Sequence, residues 1–596
     1  MRLPRPCSSL RLAALFLALA GLPACGRQAL GPGVNSPSLT PADSNRDRLV
    51  GHVLVPSLAR TYATVDALRG QGALPFGSSE LRSMLAARLN IPVEVLDAVD
   101  TTQPMTLALV TRASPPPGDP GMVAGACTLR PAEAATAAAV LGAPASSQKD
   151  AQEFRRPDGG SLWVLRSGLT FIWADTLEAL GEAGAHAAAA RGEAADDIVV
   201  RAYPPALARW QGADPASGVQ GLKGKLLQDY DRSFRERDRP APPAAERAAY
   251  EALLDFVLAP LPDTNQLDFT IGLGQARGAR LGLRAIPRPL SAFANRLATP
   301  TPVVHQPALL EGTGHVGLAG IGPNSALLDL FQSLLDAQAR AGVTGAAAIA
   351  ARLRALAAQL TGAMVTAARA AGNGTSVQDT VLPLRPGASP AAALDALVAL
   401  ARDPALGPLL QAAYGSQAPE VTAARENTDA GPGARIQLAF PRDARARGPA
   451  AIARSFYGNS TVVFLVAATG DRLLIASDPG ARDRLKRLAG AGTAAAPDPA
   501  LATALEDGRG HDGFLYLDLW GLVRPMAAAF VSGSQARMIE GLLALPGLAQ
   551  LNLPIWANHR GGQQLEIELR VPVATMTSAA SAIGLFGQAS GLGMAP

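Results

Sequence analysis

The chain is poor in cysteine, in aromatic residues and in net charge. Three cysteines among 596 residues cannot build a disulfide framework. A formal net charge of +4, from 53 Lys+Arg against 49 Asp+Glu, supplies no basic stripe, so no nucleic-acid partner is expected. Histidine is scarce as well, with six in all: His52, His186, His305, His315, His511 and His559. None falls in an H-E-x-x-H pattern or a Cys/His cluster with zinc spacing. The chain has no G-x-S-x-G nucleophile elbow and no Walker A loop. No window after the N-terminus reads as a membrane-spanning helix, because Arg352, Arg354 and Gln359 interrupt the alanine-rich stretch 343–372. What the chain has is apolar residues, at 48% against 17% charged, enough for buried cores and too many for a disordered chain. Its length corresponds to about four domain-sized units.

The N-terminus carries the most specific signal. Arg2, Arg5 and Arg11 form a basic flank, and Leu12–Leu22 is an 11-residue apolar run. That run is too short for a spanning helix and suits the apolar segment of a secretory signal over 1–24. Residues 26–47 are rich in Gly, Pro, Ser and Asn and read as a flexible tether. Between them stands Leu22-Pro23-Ala24-Cys25-Gly26, which resembles the lipobox of bacterial lipoproteins, with Pro23 where that pattern has a small or aliphatic residue. The resemblance implies lipid attachment at Cys25, which becomes the mature N-terminus. It also implies a membrane partner reached through that lipid. Gly26 in place of Asp favours the outer membrane, with the body facing the periplasm. Two alternatives stand beside it. Ordinary cleavage after Ala24 leaves a soluble periplasmic or secreted protein, and an uncleaved signal leaves a membrane anchor. With Cys7 removed and Cys25 lipidated, Cys127 is the one free thiol, and its apolar surroundings (Met122–Leu129) predict a small buried hydrophobe.

Beyond the tether, residues 48–300 and 313–587 read as diverged copies of one module, joined by a linker at 301–312 and followed by a tail at 588–596. The marks recur in order. Gly51-His52-Val53 answers Gly314-His315-Val316, and the strand Met105–Val110 answers Met364–Ala368. Leu129-Arg130-Pro131 answers Leu384-Arg385-Pro386, with an alanine-rich helix expected directly after each. Leu162–Asp175 answers Val462–Asp478 as a hairpin entering a helix. Asp197–Tyr203 answers Gly513–Leu519, and Leu281–Ile286 answers Leu565–Val571. The duplication ends the helix in 343–372 near Leu360 and predicts a strand over 363–369. Two amphipathic helices follow from the stripes Tyr250, Leu253, Leu254, Val257, Leu258 and Leu327, Leu328, Phe331, Leu334, Leu335. The fold class expected is α+β: two diverged copies of a mainly antiparallel sheet-plus-helices module. The order of MTLALV, TLRPAEAATAAAVL, FIWADTLEALGEA with LLIASDPGARDRL, and an LYLDL-type strand resembles the exported bacterial proteins grouped as DUF3352. That resemblance implies an exported α+β protein and carries no functional residue.

Fragments of catalytic motifs fail on context. Ser146-Ser147-Gln148-Lys149 and Tyr457-Gly458-Asn459 fit S-x-x-K and Y-x-N, yet no K-T-G exists and the first segment reads as a polar loop. Gly272, Gly274 and Gly278 lie between two strands, where a dinucleotide site needs a helix; they read as a hairpin turn. Asp43, Asn45 and Asp47 begin a calcium loop that Arg48 and Leu54 break. Arg232, Arg235, Arg237 and Arg239 read as a solvated face, and His511-Asp512 sits in a Gly-rich turn. His52 and His315 are expected at equivalent repeat positions, in a structural role. No catalytic set, metal or cofactor is expected. The leading expectation is a membrane-anchored, non-catalytic binding or scaffolding lipoprotein, with a protein partner or a hydrophobic ligand left open. The alternatives are an envelope hydrolase with a noncontiguous Ser/His or carboxylate site, and a hydrophobic-ligand carrier.

Overall fold

The computed structural model describes residues 48–112, 121–148, 150–156, 159–190, 196–210, 215–235, 244–298, 315–321, 326–361, 364–370, 376–441, 453–454, 456–490, 499–507, 511, 513–520, 553–560 and 563–589. The signal, Cys25, the tether, the calcium-like Asp43–Asp47 segment, His305 and the linker 301–312 lie outside the described residues.

The fold is α+β and antiparallel, and one strand order occurs twice. In the first unit the strands are β1 (Leu49–Val55), β2 (Met105–Val110), β3 (Met122–Thr128), β4 (Ser146–Gln148), β5 (Ala151–Arg155), β6 (Ser161–Ser167), β7 (Thr170–Ala174), β8 (Ile198–Ala202), β9 (Thr264–Gly274) and β10 (Gly278–Pro287). They pair in the order β4-β5-β6-β7-β3-β2-β1-β8-β9-β10. The second unit contains β11 (His315–Ile321), β12 (Met364–Ala370), β13 (Ser376–Pro383), β14 (Glu420–Thr428), β15 (Gly431–Ala439), β16 (Thr461–Thr469), β17 (Arg472–Ser477), β18 (Gly513–Asp518), β19 (Pro554–Arg560) and β20 (Leu565–Val571). Their order is β14-β15-β16-β17-β13-β12-β11-β18-β19-β20, so each strand has its counterpart ten numbers on.

Each sheet is covered on both faces, which is why its central strands read as continuous apolar runs. In the first unit, helices Leu177–Glu182 and Gly184–Ala189 bury Ala108, Val110, Met122, Ala124 and Ala174. The opposite face packs Met105, Cys127, Phe171 and Trp173 against helices that contribute Leu58, Ala86, Val95 and Ala137. In the second unit, helices Ala481–Ala489 and Pro499–Asp507 cover Val365, Ala367, Val381 and Ala476. Helices Ala346–Ala357 and Pro390–Arg402 cover the reverse side through Leu356, Leu394 and Val398.

The copies share fine detail. Val99 bridges Leu129, as Leu360 bridges Leu384, and the next residue of each pair, Arg130 or Arg385, donates its N–H to Ala98 or Gln359. The expected strand over 363–369 is β12, and the helix before it ends at Ala357. The two sheets also exchange bulk. Gly125 of β3 faces Trp173 of β7, whose indole fills the space a Cβ would need; the same two positions hold Thr380 and Ile475 in the second unit.

Three local expectations are corrected. First, the alanine-rich helix of the second copy does not start at Pro386. Gly387, with φ +82°, turns the chain, and the helix begins at Pro390, capped by Ser389 accepting from the Ala392 N–H. Second, Ser146–Gln148 is an exposed edge strand and not a loop. Third, His52 and His315 are not equivalent. Both opening strands carry a β-bulge, before Gly51 in β1 and before Gly317 in β11, and Val55 pairs with Met105 as Ile321 pairs with Met364. This register sets His52 against Leu318, and His315 against Leu49.

The chain divides into two compact units: the first runs to Gly218 and includes Thr264–Ala285, and the second takes Val219–Asp263 and everything from Ile286. The helix carrying the Tyr250 stripe, Ala244–Leu258, therefore packs inside the second unit, against the helix Ala326–Arg340 that carries the Phe331 stripe. Leu254 and Leu258 are buried, while Leu253, Val257 and Phe331 remain exposed.

Candidate functional sites on one cross-strand row

Each sheet has an equivalent row of cross-strand neighbours, and the ionisable cluster of each unit is built on or beside that row. In the first unit the row reads Asp268, Arg201, His52, Ala108, Ala124, Ala174 and Trp163, across β9, β8, β1, β2, β3, β7 and β6. In the second unit the equivalent row reads Trp556, Tyr516, Leu318, Ala367, Asp379, Ala476 and Leu465. The row is polar at one end in the first unit and at β13 in the second.

In the first cluster Arg201 grips Asp268 with both arms, Nε to Oδ1 at 2.7 Å and Nη2 to Oδ2 at 2.8 Å. The Gln266 amide adds bonds at 3.0 Å to the same carboxylate, which is buried. Such a bidentate, charge-assisted pair holds its geometry firmly. The carboxylate in turn raises the proton affinity of Arg201. Tyr203, two residues along the same face, also bonds Arg201, and its ring lies 6.2 Å from the His52 imidazole. Burial, and then the Arg201 charge, push His52 down to about 4; Asp268 pulls weakly the other way, and buried His186 adds to the lowering. His52 is therefore neutral at pH 7. Arg201 stands between it and Asp268 in the row, so the two do not form a histidine–carboxylate dyad.

The second cluster centres on Asp379 of β13. Arg369 of β12 donates from Nη2 to Oδ2 at 2.7 Å, and Arg484, the fourth residue of helix Ala481–Ala489, donates from Nε to Oδ1 at 2.8 Å. Arg484 spends its other two nitrogens on the carbonyls of Pro479 and Ser477. Side-chain exposures are 14% for Arg369, 2% for Asp379 and 7% for Arg484. On the reverse face of the same strands, Thr366 and Thr380 share a 2.7 Å hydrogen bond, and Gln378 joins Thr366 to the Tyr457 hydroxyl.

Of the motif residues considered from sequence, none joins either cluster except His52 and its neighbour His186. Ser146 donates to Glu153 on an exposed edge, and Lys149 lies outside the described residues. Tyr457 is 3.0 Å from Gln378. Gly272, Gly274 and Gly278 form the β9–β10 hairpin. Arg232 pairs with Asp229, while Arg237, Arg239 and Asp512 fall outside the described residues. Cys127 is buried in the core, and desolvation pushes its thiol up to about 12. Among the described residues no group of three or more His, Cys, Asp or Glu could hold a metal ion, and no helix is long and apolar enough to cross a membrane.

Sequence reasoning missed Arg201, Asp268, Arg369, Asp379 and Arg484. The available signal was a charge inside an apolar strand, as in IVVRA and SVQDTVLP. Compared with known proteins, the chain matches no protein-family model, no curated protein and no solved structure.

Proposed function

We propose that the protein is a lipid-anchored, non-catalytic binding or scaffolding protein of the bacterial envelope, attached through Cys25. The observation that carries this reading is the segment Leu22-Pro23-Ala24-Cys25-Gly26 directly after an 11-residue apolar run with a basic flank. The folded body supports it in a second way. The charged groups of its first cluster are committed to one another, with Arg201 doubly bonded to the buried Asp268 carboxylate that Gln266 also holds, as suits a rigid body. A cell that makes this protein should incorporate labelled palmitate into it, and Cys25→Ala should abolish the label. Unchanged labelling in the variant, or none in the wild type, contradicts the anchor.

A further inference from the structure

The second cluster carries a charge that the fold does not require. Two guanidinium groups meet one carboxylate, so the triad Arg369–Asp379–Arg484 holds one positive charge in excess, with all three side chains mostly buried. An uncompensated charge removed from water is costly. The first unit shows that the same architecture does without it. The position of Asp379, between β12 and β17, is held by Ala124 between β2 and β7. The position of Arg369, opposite Val377, is held by Val110 opposite Met122. The fourth residue of the covering helix is Leu180 in place of Arg484. All three replacements are buried and apolar. Apolar side chains can fill these positions, so packing alone does not call for the triad, and a mostly buried ion cluster with an unmatched charge is open to a compensating anion.

The two arginines differ in what they have left to offer. Arg484 has a partner for each nitrogen: Asp379, Pro479 O and Ser477 O. Arg369 bonds Asp379 through Nη2 and is the most exposed member of the triad. Its remaining donors lie on the planar fork that matches two oxygens of a carboxylate or phosphate group. Asp379, fixed on its other oxygen by Arg484, holds that fork in place.

We propose that Arg369 is the recognition residue of a small-oxyanion site in the second unit, taking the carboxylate or phosphate group of a solute and neutralising the excess charge of the triad. This inference stands apart from the lipid anchor and survives its failure. Calorimetric titration of the full mature chain with inorganic phosphate and, separately, with acetate, at constant ionic strength set by chloride, tests it. Saturable binding of at least one is expected, and the stronger response identifies the class of group. A lost charge-assisted pair is worth roughly tenfold or more in affinity, so Arg369→Gln should weaken binding by at least about tenfold. The triple variant Arg369→Val, Asp379→Ala, Arg484→Leu installs the residues of the first unit, is expected to fold, and should not bind. Flat titrations with both anions in the wild type overturn the proposal, as does undiminished binding by the triple variant.

Discussion

His52 illustrates how one register position sets a residue's chemistry. Its neighbours across the sheet and above it are Arg201, Tyr203, Asp268 and His186, and burial with the Arg201 charge holds it neutral down to about pH 4. An unfolded histidine titrates near 6.5, so between those values the unfolded chain binds the extra proton. The contribution of His52 is fully present above about pH 6.5, is lost as pH falls toward 4, and amounts to about 3 kcal/mol. Thermal unfolding between pH 7 and pH 4 should show the wild type losing stability more steeply than His52→Leu; parallel slopes would sink this assignment. Cys127 provides a second residue-scale test. With its thiol pushed up to about 12 inside the core, it should resist a thiol reagent at pH 8 in the native protein and react fully in denaturant. Gly125 gives a third. Because the Trp173 indole occupies the space of its missing Cβ, Gly125→Ala should destabilise the first unit by roughly 1–3 kcal/mol or more. A melting temperature equal to that of the wild type would refute the packing described.

At the scale of elements, the two sheets differ in where one row is polar. That difference sets opposite expectations for single and multiple substitution. Asp379→Ala leaves two guanidinium groups facing each other and should cost about 3–5 kcal/mol. The triple change to Val, Ala and Leu should be neutral or stabilising by about 1–4 kcal/mol. Calorimetry of both variants checks the pair, and a triple variant less stable than Asp379→Ala contradicts it. Strand boundaries are largely legible because they depend on neighbours in sequence: the expected strand Met105–Val110 matches to the residue, and the repeat places β12 within one residue inside an alanine-rich stretch that resembles a helix. The polar row was not legible. Arg201 and Asp268 are 67 residues apart and meet through strand register, while Asp379 and Arg484 are 105 apart and meet because helix Ala481–Ala489 packs on the sheet. The same reason explains the misplaced His315. The tripeptide Gly-His-Val recurs in sequence, but the bulges before Gly51 and Gly317 set the true alignment.

For the whole molecule, the recurrence of one ten-strand order in each unit accounts for all twenty described strands. Divergence then appears in side chains along shared positions, with apolar residues in one copy where the other has charge. The proposed lipid anchor hangs this body from a membrane by Cys25. Tryptic mass spectrometry of the membrane-extracted protein reads that directly, because cleavage after Arg27 isolates the mature N-terminus. The expected product is the peptide Cys25-Gly26-Arg27 carrying a thioether-linked diacylglyceryl group, with nothing upstream. An unmodified Cys25, or a peptide that continues through Ala24 and Pro23, would contradict it.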